Sequence, residues 1–322
     1  LSYGYQGNML DGQSPEMIIK KQPMSGYFNE LTAEVSIYPN RNLKWEKTSS
    51  FNMGLDFALF NNAVQVNASY YTKRTKNAFL EKRISTMNGR KSYVINSGNV
   101  TNSGFSFDVS LSPVSTDNFR WTLSASYSKV FNELKTLPGA EQYELDDFLS
   151  GNALVKGKAV STFYCYQFIG LNPEDGGPLF DDMLENKEDL MELSKYDVFT
   201  RVLTSSGKRE PTMQGSFTNS FRYKSFRLSM VLAYSLGAKV RLFKLYEDKM
   251  NFLPEQTISK EFVNRWRKPG DEKYTSIPGV MAAGIAANRN YNYHWSSYEN
   301  NIVNIADNAW EMYNYSDQRV VS

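Results

Sequence analysis

The stretch FNMGLDFALFNNAVQVNASYY, residues 51–71, constrains the fold more than any other part of the sequence. In its first arm every second residue is large and apolar, beginning with Phe51 and ending with Leu59, and small or polar residues stand between them. Asn61 and Asn62 interrupt this alternation, which then resumes. A period of two on both sides of a turn-forming pair predicts a β-hairpin with one apolar face. That face must meet either a protein core or lipid.

Two further hairpins and one more strand show the same alternation. We predict them at residues 105–111 with 121–128, 215–223 with 226–237, and 1–6. The turn of the second hairpin is predicted to span residues 112–120, and that of the third to consist of Lys224 and Ser225. The sequence therefore predicts an all-β fold with about seven strands.

The segments between these hairpins are long, at residues 7–45, 73–104, 129–214 and 238–322. If the strands run up and down in order, the short turns meet at one end and the long segments at the other. Soluble sandwiches usually spread their loop length over both ends. Outer-membrane barrels have short periplasmic turns and long extracellular loops. This asymmetry favours part of a large antiparallel transmembrane β-barrel.

The two faces of the predicted strands differ in chemistry. About 23 positions of the apolar phase carry no charge, as expected where Lys or Arg at mid-bilayer costs about 2–4 kcal/mol. A soluble core would exclude charges as well. The opposite face suits a hydrated lumen, because small hydroxyls and amides dominate it: Asn52, Asp56, Gln65, Asn67, Ser69, Asp108, Ser110, Thr122, Ser124, Ser126, Arg227 and Ser229.

Aromatic residues concentrate near the short turns, as in the girdle of a barrel at the lipid–water boundary. They are Phe57, Phe60, Phe119, Trp121, Phe221, Tyr223 and Phe226. The alternative is ordinary packing at strand ends in a soluble protein. Asn219 does not fit the pattern, because it occupies the apolar phase of its strand.

Composition excludes several functional classes. The net charge of +2 gives no reason to expect a nucleic-acid partner. A single cysteine, Cys165, excludes an internal disulfide and a thiolate metal cluster, and we interpret it as a packing residue. The single histidine, His294, is interpreted as a polar loop residue. No phosphate-binding glycine loop or nucleophile elbow appears. We therefore expect no enzyme, no cofactor and no metal.

Carboxylates do not change this expectation. The segment LNPEDGGPLFDD lacks the spacing of a calcium loop and is interpreted as a turn. Asp56 and Asp108 are the carboxylates nearest to a catalytic pair, and we interpret them as polar residues of the lumen.

Two features stand out in the long segments. Tyr291, Tyr293, Trp295 and Tyr298 lie among asparagines and serines, and they are the candidate substrate-binding residues, because exposed rings stack on sugars or grip peptides. Packing within the loop is the alternative. The segment PEQTISKEFVNRWRKPGDE predicts a short helix with Ile258, Phe262 and Trp266 on one face, ending near Pro269 and Gly270.

Five stretches together resemble the SusC/RagA-like TonB-dependent transporters of Bacteroidetes. They are NRNLKWEKTSSFNMGLDFALFNNAVQVNASYYTKRTKNAFL, NSGNVTNSGFSFDVSLSP, FYCYQFIGLNPEDGGPLF, PTMQGSFTNSFRYKSFRLSMVLAYSLGAKV and EFVNRWRKPGDE. They follow the order of the family and cover most of residues 1–322. The resemblance implies a 22-stranded barrel in the bacterial outer membrane, with an N-terminal plug.

The resemblance also implies a function. A SusD-like surface lipoprotein covers the barrel, and glycans or peptides enter when the TonB complex pulls on the plug. Residues 1–322 then correspond to the C-terminal part of the barrel, without the plug and the final strands. Because open strand edges are not tolerated in hydrocarbon, we expect those parts to come from outside this sequence.

A secreted carbohydrate-binding β protein that uses the aromatic cluster is the alternative function. Partitioning into the membrane distinguishes the two, because a monomer released without detergent would favour the secreted protein.

Overall fold

The computed structural model of the chain describes residues 1–9, 16–21, 33–37, 43–83, 92–137, 143–181, 193–246, 257–280 and 309–322. The chain divides into two compact units. Unit 1 comprises Leu1–Gln142, Leu154–Val160 and Glu210–Ala238, and unit 2 comprises Tyr143–Ala153, Ser161–Arg209 and Lys239–Ser322. Among the described residues, no helix has the length and apolar character needed to cross a membrane.

The described secondary structure consists mainly of strands. In chain order the strands are β1 (Ser2–Asn8), β2 (Ile18–Lys21), β3 (Ala33–Ile37), β4 (Glu46–Leu59), β5 (Val64–Arg83), β6 (Ser92–Ser115), β7 (Phe119–Thr136), β8 (Thr162–Cys165), β9 (Phe168–Leu171), β10 (Pro178–Phe180), β11 (Thr204–Lys208), β12 (Met213–Tyr223), β13 (Phe226–Leu236), β14 (Val240–Arg241) and β15 (Val320–Val321). The α-helices are α1 (Leu145–Ser150), α2 (Lys195–Val202) and α3 (Ala309–Asn314), and 3-10 helices span Lys260–Asn264, Asp271–Lys273 and Asp317–Arg319.

Unit 1 is built on an antiparallel sheet of seven strands. Its order is β1-β4-β5-β6-β7-β12-β13, so strands that follow one another in the sheet also follow one another along the chain. The β4–β5, β6–β7 and β12–β13 turns therefore lie at one end of the sheet, and we call this the turn end. The predicted up-and-down order is confirmed for the seven strands of this sheet.

The β4–β5 turn forms where the asparagine pair predicts it. Phe60, Asn61 and Asn62 have positive φ angles of 53°, 53° and 68°. The backbone N–H of Ala63 donates a 3.0 Å hydrogen bond to the carbonyl oxygen of Phe60. Asparagine tolerates the left-handed region better than most residues, so the pair allows the strand to reverse here.

The predicted loop at residues 112–120 is wrong. Strand β6 continues to Ser115 and β7 begins at Phe119, so only three residues connect them. The register shifts between Leu111 and Val114, which places Pro113 in a bulge. A proline cannot donate to the ladder, and a bulge is one of the few places where a strand accepts it.

Strands β5 and β6 also extend well beyond the predicted hairpins. They stay paired as far as Arg83 and Ser92, through much of a segment predicted to be a loop. A register shift near Asn77, whose φ is 57°, accompanies this extension. The side chain of Asn96 bridges the irregular backbone, because its Nδ2 donates to the carbonyl oxygens of Asn77 (2.9 Å) and Lys44 (2.7 Å).

The apolar face of the sheet is exposed over most of its area. Met53 and Leu55 are 52% and 56% exposed, and Leu228, Met230 and Leu232 are between 62% and 69% exposed. A dry core would leave such side chains a few per cent exposed. An exposed apolar face of this size, on a sheet with a polar reverse, is typical of the lipid-facing side of a barrel.

Asn219 is accommodated on the apolar face by a specific partner. The Nε1 of Trp121 donates a 2.9 Å hydrogen bond to the Asn219 side-chain oxygen. Both groups would otherwise be costly against an apolar environment. The exception in the alternating pattern therefore forms one cross-strand polar pair.

Aromatic side chains pack across strands near the turn end, as predicted. Phe221 stacks on Trp121 with 5.8 Å between the ring centroids and on Phe119 with 6.5 Å. Phe60 and Phe226, each 79% exposed, lie at the turns themselves. The backbone N–H of Lys224 donates a 2.8 Å hydrogen bond to the carbonyl oxygen of Asn118, which joins two neighbouring turns.

Gly215 lies where β12 passes between two tyrosines. It pairs with Tyr127 on one side and Tyr234 on the other. The Tyr234 hydroxyl reaches across it and donates a 3.2 Å hydrogen bond to the carbonyl oxygen of Ser126. A Cβ at this position would lie 2.1 Å from that carbonyl oxygen, so only glycine fits.

Unit 2 has an aromatic core of its own, although the sequence predicts only loops for most of it. Three short antiparallel pairs, β8–β11, β9–β10 and β14–β15, accompany its helices. Trp310 is fully buried, and its Nε1 donates a 2.8 Å hydrogen bond to the carbonyl oxygen of Gly279. The Asn314 side chain accepts hydrogen bonds from the backbone N–H groups of Leu245 (2.7 Å) and Tyr246 (3.0 Å).

The predicted helix around Phe262 is wrong in type and in facing. The structure has a 3-10 helix at Lys260–Asn264, in which Phe262 is 3% exposed while Ile258, outside it, is 51% exposed. Trp266 instead packs over Gly176, where a Cβ would lie 2.3 Å from the indole ring. Gly176 closes the turn predicted in LNPEDGGPLFDD, and its N–H donates to the carbonyl oxygen of Asn172 (2.8 Å).

The prediction that Cys165 is a packing residue is confirmed. Its side chain is fully buried and packs with Phe163 and Val320. Burial raises the pKa of the Cys165 thiol above its usual value, although the Arg241 guanidinium beside it acts in the opposite direction. The thiol is therefore protonated at neutral pH, which does not suit a nucleophile.

The facing of the sheet predicts a difference between arginine substitutions. Leu55→Arg or Met230→Arg places a charge on the exposed apolar face, which costs about 2–4 kcal/mol at mid-bilayer. We expect either variant to lower the amount of protein assembled in the membrane strongly, measured by quantitative blotting of membrane fractions. The matched control Ser124→Arg, on the opposite face, should assemble nearly normally, and equal losses for all three would contradict the facing.

Candidate functional site: the hydroxyl face of the sheet

The polar side of the seven-stranded sheet, which we call the hydroxyl face, is the candidate site. Side chains on neighbouring strands form hydrogen bonds along it, including Ser69–Ser106 (2.7 Å), Ser126–Ser216 (2.8 Å), Ser110–Ser124 (3.1 Å) and Asn132–Asn102 (2.6 Å). These contacts arise because directly paired residues point to the same face. Many of the predicted lumen residues therefore lie together on one polar face, where several form hydrogen-bonded pairs.

A hollow of about 540 Å³ lies on this face. Asp56, Asn67 and Asp108 follow one another across β4, β5 and β6 in its wall. The Nδ2 of Asn67 donates a hydrogen bond to Asp56. Hydroxyls of β7 and β12 complete the wall, so the surface offers both donors and acceptors to a polar solute.

Positive charge lies on the hydroxyl face close to the turn end. Arg120, Arg222 and Arg227 occupy directly paired positions on β7, β12 and β13. The Nε of Arg120 donates a 3.2 Å hydrogen bond to the Ser115 hydroxyl. The sequence placed Arg227 on this face, but only the register shows that two further arginines stand beside it.

The arrangement is suited to hydrogen bonding with water and polar solutes. In the part of the chain that the structure describes, no group of three or more His, Cys, Asp or Glu side chains could hold a metal ion. The carboxylates of Asp56 and Asp108 belong to a hydrogen-bonded polar wall on which hydroxyls and amides predominate.

The predicted substrate-binding residues Tyr291, Tyr293, Trp295 and Tyr298 lie outside the described residues, and so does His294. Their role stays a prediction. Of the two sets of residues predicted from the sequence, the structure therefore describes the lumen residues of the hydroxyl face and not the aromatic cluster.

Comparison with known proteins identifies a family for part of the chain. Residues 22–163 match the family described as TonB dependent receptor-like, beta-barrel. A TonB-dependent receptor of Formosa agariphila is 26% identical over 271 residues, covering 78% of this chain and 26% of that protein. The TonB-dependent receptor SusC of Bacteroides thetaiotaomicron is 27% identical over 209 residues, covering 62% of this chain and 20% of that protein.

Solved structures show the same fold. The RagAB peptide importer in its closed-closed state superposes with a TM-score of 0.69 at 21% identity, covering 87% of this chain and 31% of the compared chain. Its open-open state gives a TM-score of 0.64 at 19% identity. The chain spans between a fifth and three tenths of the length of the curated relatives it matches.

The exposed apolar face, the polar reverse and these matches define the class: residues 22–163 match the TonB-dependent receptor β-barrel, and the chain has the fold of the corresponding part of the RagAB structures. Within that class it is SusC/RagA-like, so the resemblance seen in the sequence is confirmed. Its location is the outer membrane of a bacterium.

The interpretation of Asp56 and Asp108 as polar, non-catalytic residues of the hydroxyl face can be tested directly. In the complete receptor we expect Asp56→Asn with Asp108→Asn to change substrate uptake by less than about twofold, as for substitutions that keep a polar surface intact. Asparagine retains the side-chain oxygen that accepts from Asn67. Uptake of labelled substrate and outer-membrane abundance are the measurements. Loss of a hydrolytic activity in the double variant would instead assign catalysis to these residues.

Proposed function

We propose that the chain forms part of a TonB-dependent outer-membrane importer of nutrients, with residues 1–322 as the C-terminal part of its barrel. One observation carries the proposal: the same seven strands present an exposed apolar face and a hydrogen-bonded hydroxyl face. Lipid on one side and an aqueous path on the other satisfy both surfaces. A soluble binding protein would leave the apolar face in water.

The proposed importer works with two partners. A SusD-like surface lipoprotein covers the barrel, and the TonB complex acts through a plug that lies outside this sequence. Similarity to SusC supports this assignment at 27% identity. The proposal includes no bond chemistry, since the hydroxyl face offers hydrogen bonds and charge to a passing solute.

The proposed substrate is a glycan or a peptide. The RagAB structures are those of a peptide importer, and at 19–21% identity they establish the shared fold alone. The loop aromatics suit both classes, because a ring can stack on a sugar or pack against a peptide. Mass spectrometry of small molecules that copurify with the receptor and its lipoprotein would choose between them.

Uptake in cells tests the proposed function. Deletion of the receptor should abolish growth on the oligomeric substrate but not on its monomer, and the complete gene should restore it. Collapse of the proton-motive force should stop uptake by the intact receptor, because the TonB complex depends on it. A chain released from cells as a soluble carbohydrate-binding monomer would contradict transport and support the alternative of a secreted β protein.

The aromatic cluster predicts a loss of affinity. Replacing Tyr291, Tyr293, Trp295 and Tyr298 with alanine should weaken substrate binding at least tenfold, since each stacked ring contributes about 0.5–1.5 kcal/mol. Isothermal titration on the purified complete receptor measures the affinity. Tyr274→Ala is the matched control, because Tyr274 is 90% exposed and lies outside the cluster. Unchanged affinity together with a lower melting temperature would show packing within the loop instead.

A further inference from the structure

A second aromatic group lies on the apolar face at the end opposite the turns. Tyr3 and Tyr5 of β1 are 62% and 75% exposed, and their rings meet edge to face with 5.2 Å between centroids. The Tyr3 hydroxyl donates a 2.7 Å hydrogen bond to that of Tyr5. Trp45, 59% exposed, lies against Gly7 nearby. Exposed amphipathic rings at this depth indicate a lipid–water boundary.

The spacing of the two aromatic groups agrees with a membrane. From Leu59 at the turn end to Phe51, which pairs with Tyr3, β4 advances eight residues. At about 3.3 Å per residue and a tilt of roughly 40°, this distance spans about 20 Å along the membrane normal. Such a height is close to the apolar band of about 25 Å that outer-membrane barrels present to lipid.

Three cations lie at this boundary on the same face. Lys47 pairs directly with Lys76, and Arg74 lies two residues before Lys76 on β5, opposite Ser49. Their shared face follows from the register, because Tyr3 pairs with Phe51 and Tyr5 with Ser49. All three side chains are exposed.

The cations lie close together on this face. Directly paired residues have Cα atoms about 4.5–5.5 Å apart, and residues two apart on a strand about 6.5 Å. Like charges placed in this way repel one another. Within the described ranges, none of the three forms an ion pair. The acidic Glu133 on this face is bound by Lys135 at 2.6 Å, and Glu46 accepts from the backbone N–H of Phe79 at 2.8 Å.

We infer that Lys47, Arg74 and Lys76 form a binding site for the phosphate of a membrane lipid headgroup. The acyl chains lie along the apolar face below, and the headgroup reaches the level of Tyr3 and Tyr5. A phosphate placed among the cations removes their mutual repulsion and accepts charge-assisted hydrogen bonds from the guanidinium and ammonium groups. The site lies outside the proposed substrate path.

Lipid titration of the complete receptor in dodecyl maltoside tests the site. The probes are dioctanoyl phosphatidylglycerol and, as the phosphate-free control, dioctanoylglycerol, with bound lipid counted by native mass spectrometry. Each cation near a lipid surface raises the affinity for an anionic lipid by a factor of about five. The combined substitutions Lys47→Gln, Arg74→Gln and Lys76→Gln should therefore weaken phosphatidylglycerol binding roughly 100-fold. Binding of the neutral lipid should not change.

Lys73→Gln is the matched control, since Lys73 belongs to the same strand but has the opposite facing and pairs with Ser50 and Asn102. It should bind phosphatidylglycerol as the unmodified receptor does. If the triple variant fails to assemble, the single variant Arg74→Gln should weaken binding about fivefold, and binding to the unmodified receptor should fall as salt is raised.

Three results would overturn the inference. They are equal affinity in the triple variant and the unmodified receptor, equal binding of the neutral lipid and phosphatidylglycerol, and displacement of the lipid by low millimolar inorganic phosphate. The last result would indicate a site for free phosphate. Substrate uptake per assembled receptor should be the same in the triple variant as in the unmodified receptor. This readout separates the test of the lipid site from the test of the proposed function.

Discussion

Pairing of the backbone within one sheet is the constraint on which the rest of unit 1 depends. In hydrocarbon an unpaired N–H or C=O costs several kcal/mol, so a strand in lipid must be hydrogen-bonded on both sides. The five inner strands meet this condition through long ladders, of which β5–β6 extends from Val64–Leu111 to Arg83–Ser92. The strands β1 and β13 form the two edges of the sheet described here. Ladder pairing also fixes which side chains share a face.

The division between the two faces follows from that register. Once Leu55 is paired with Ala68, Asp56 must pair with Asn67, and a shift of one residue would exchange the two faces. The same geometry produces the serine pairs on the hydroxyl face and the exposed apolar face on its reverse. It also explains why Asn219 requires Trp121 as a partner on the apolar side. The register of the strands therefore determines both the face that contacts lipid and the face that contacts water.

Unit 2 is stabilised in a different way. Its core consists mainly of aromatic rings that meet edge to face, such as Phe148 with Phe199 (5.5 Å) and Tyr246 with Tyr313 (5.8 Å). Polar groups within the core are satisfied locally, as where the Tyr246 hydroxyl donates a 2.7 Å hydrogen bond to the carbonyl oxygen of Pro278. These contacts have no sequence period, because residues from separate segments supply them. Unit 2 therefore has a core that periodicity could not reveal.

The sequence by itself determined the alternation of the strands, the hairpin turns at Asn61–Asn62 and Lys224, and the class of protein, since these depend on neighbouring residues and on the order of motifs. It did not determine the strand lengths. The bulge at Pro113 and the bridging by Asn96 let strands continue through turn-like sequence. Only the tertiary structure decided which residues meet across strands, including the three paired arginines and the cations beside Tyr3 and Tyr5. Register and packing depend on residues far apart in the chain, and no local pattern encodes them.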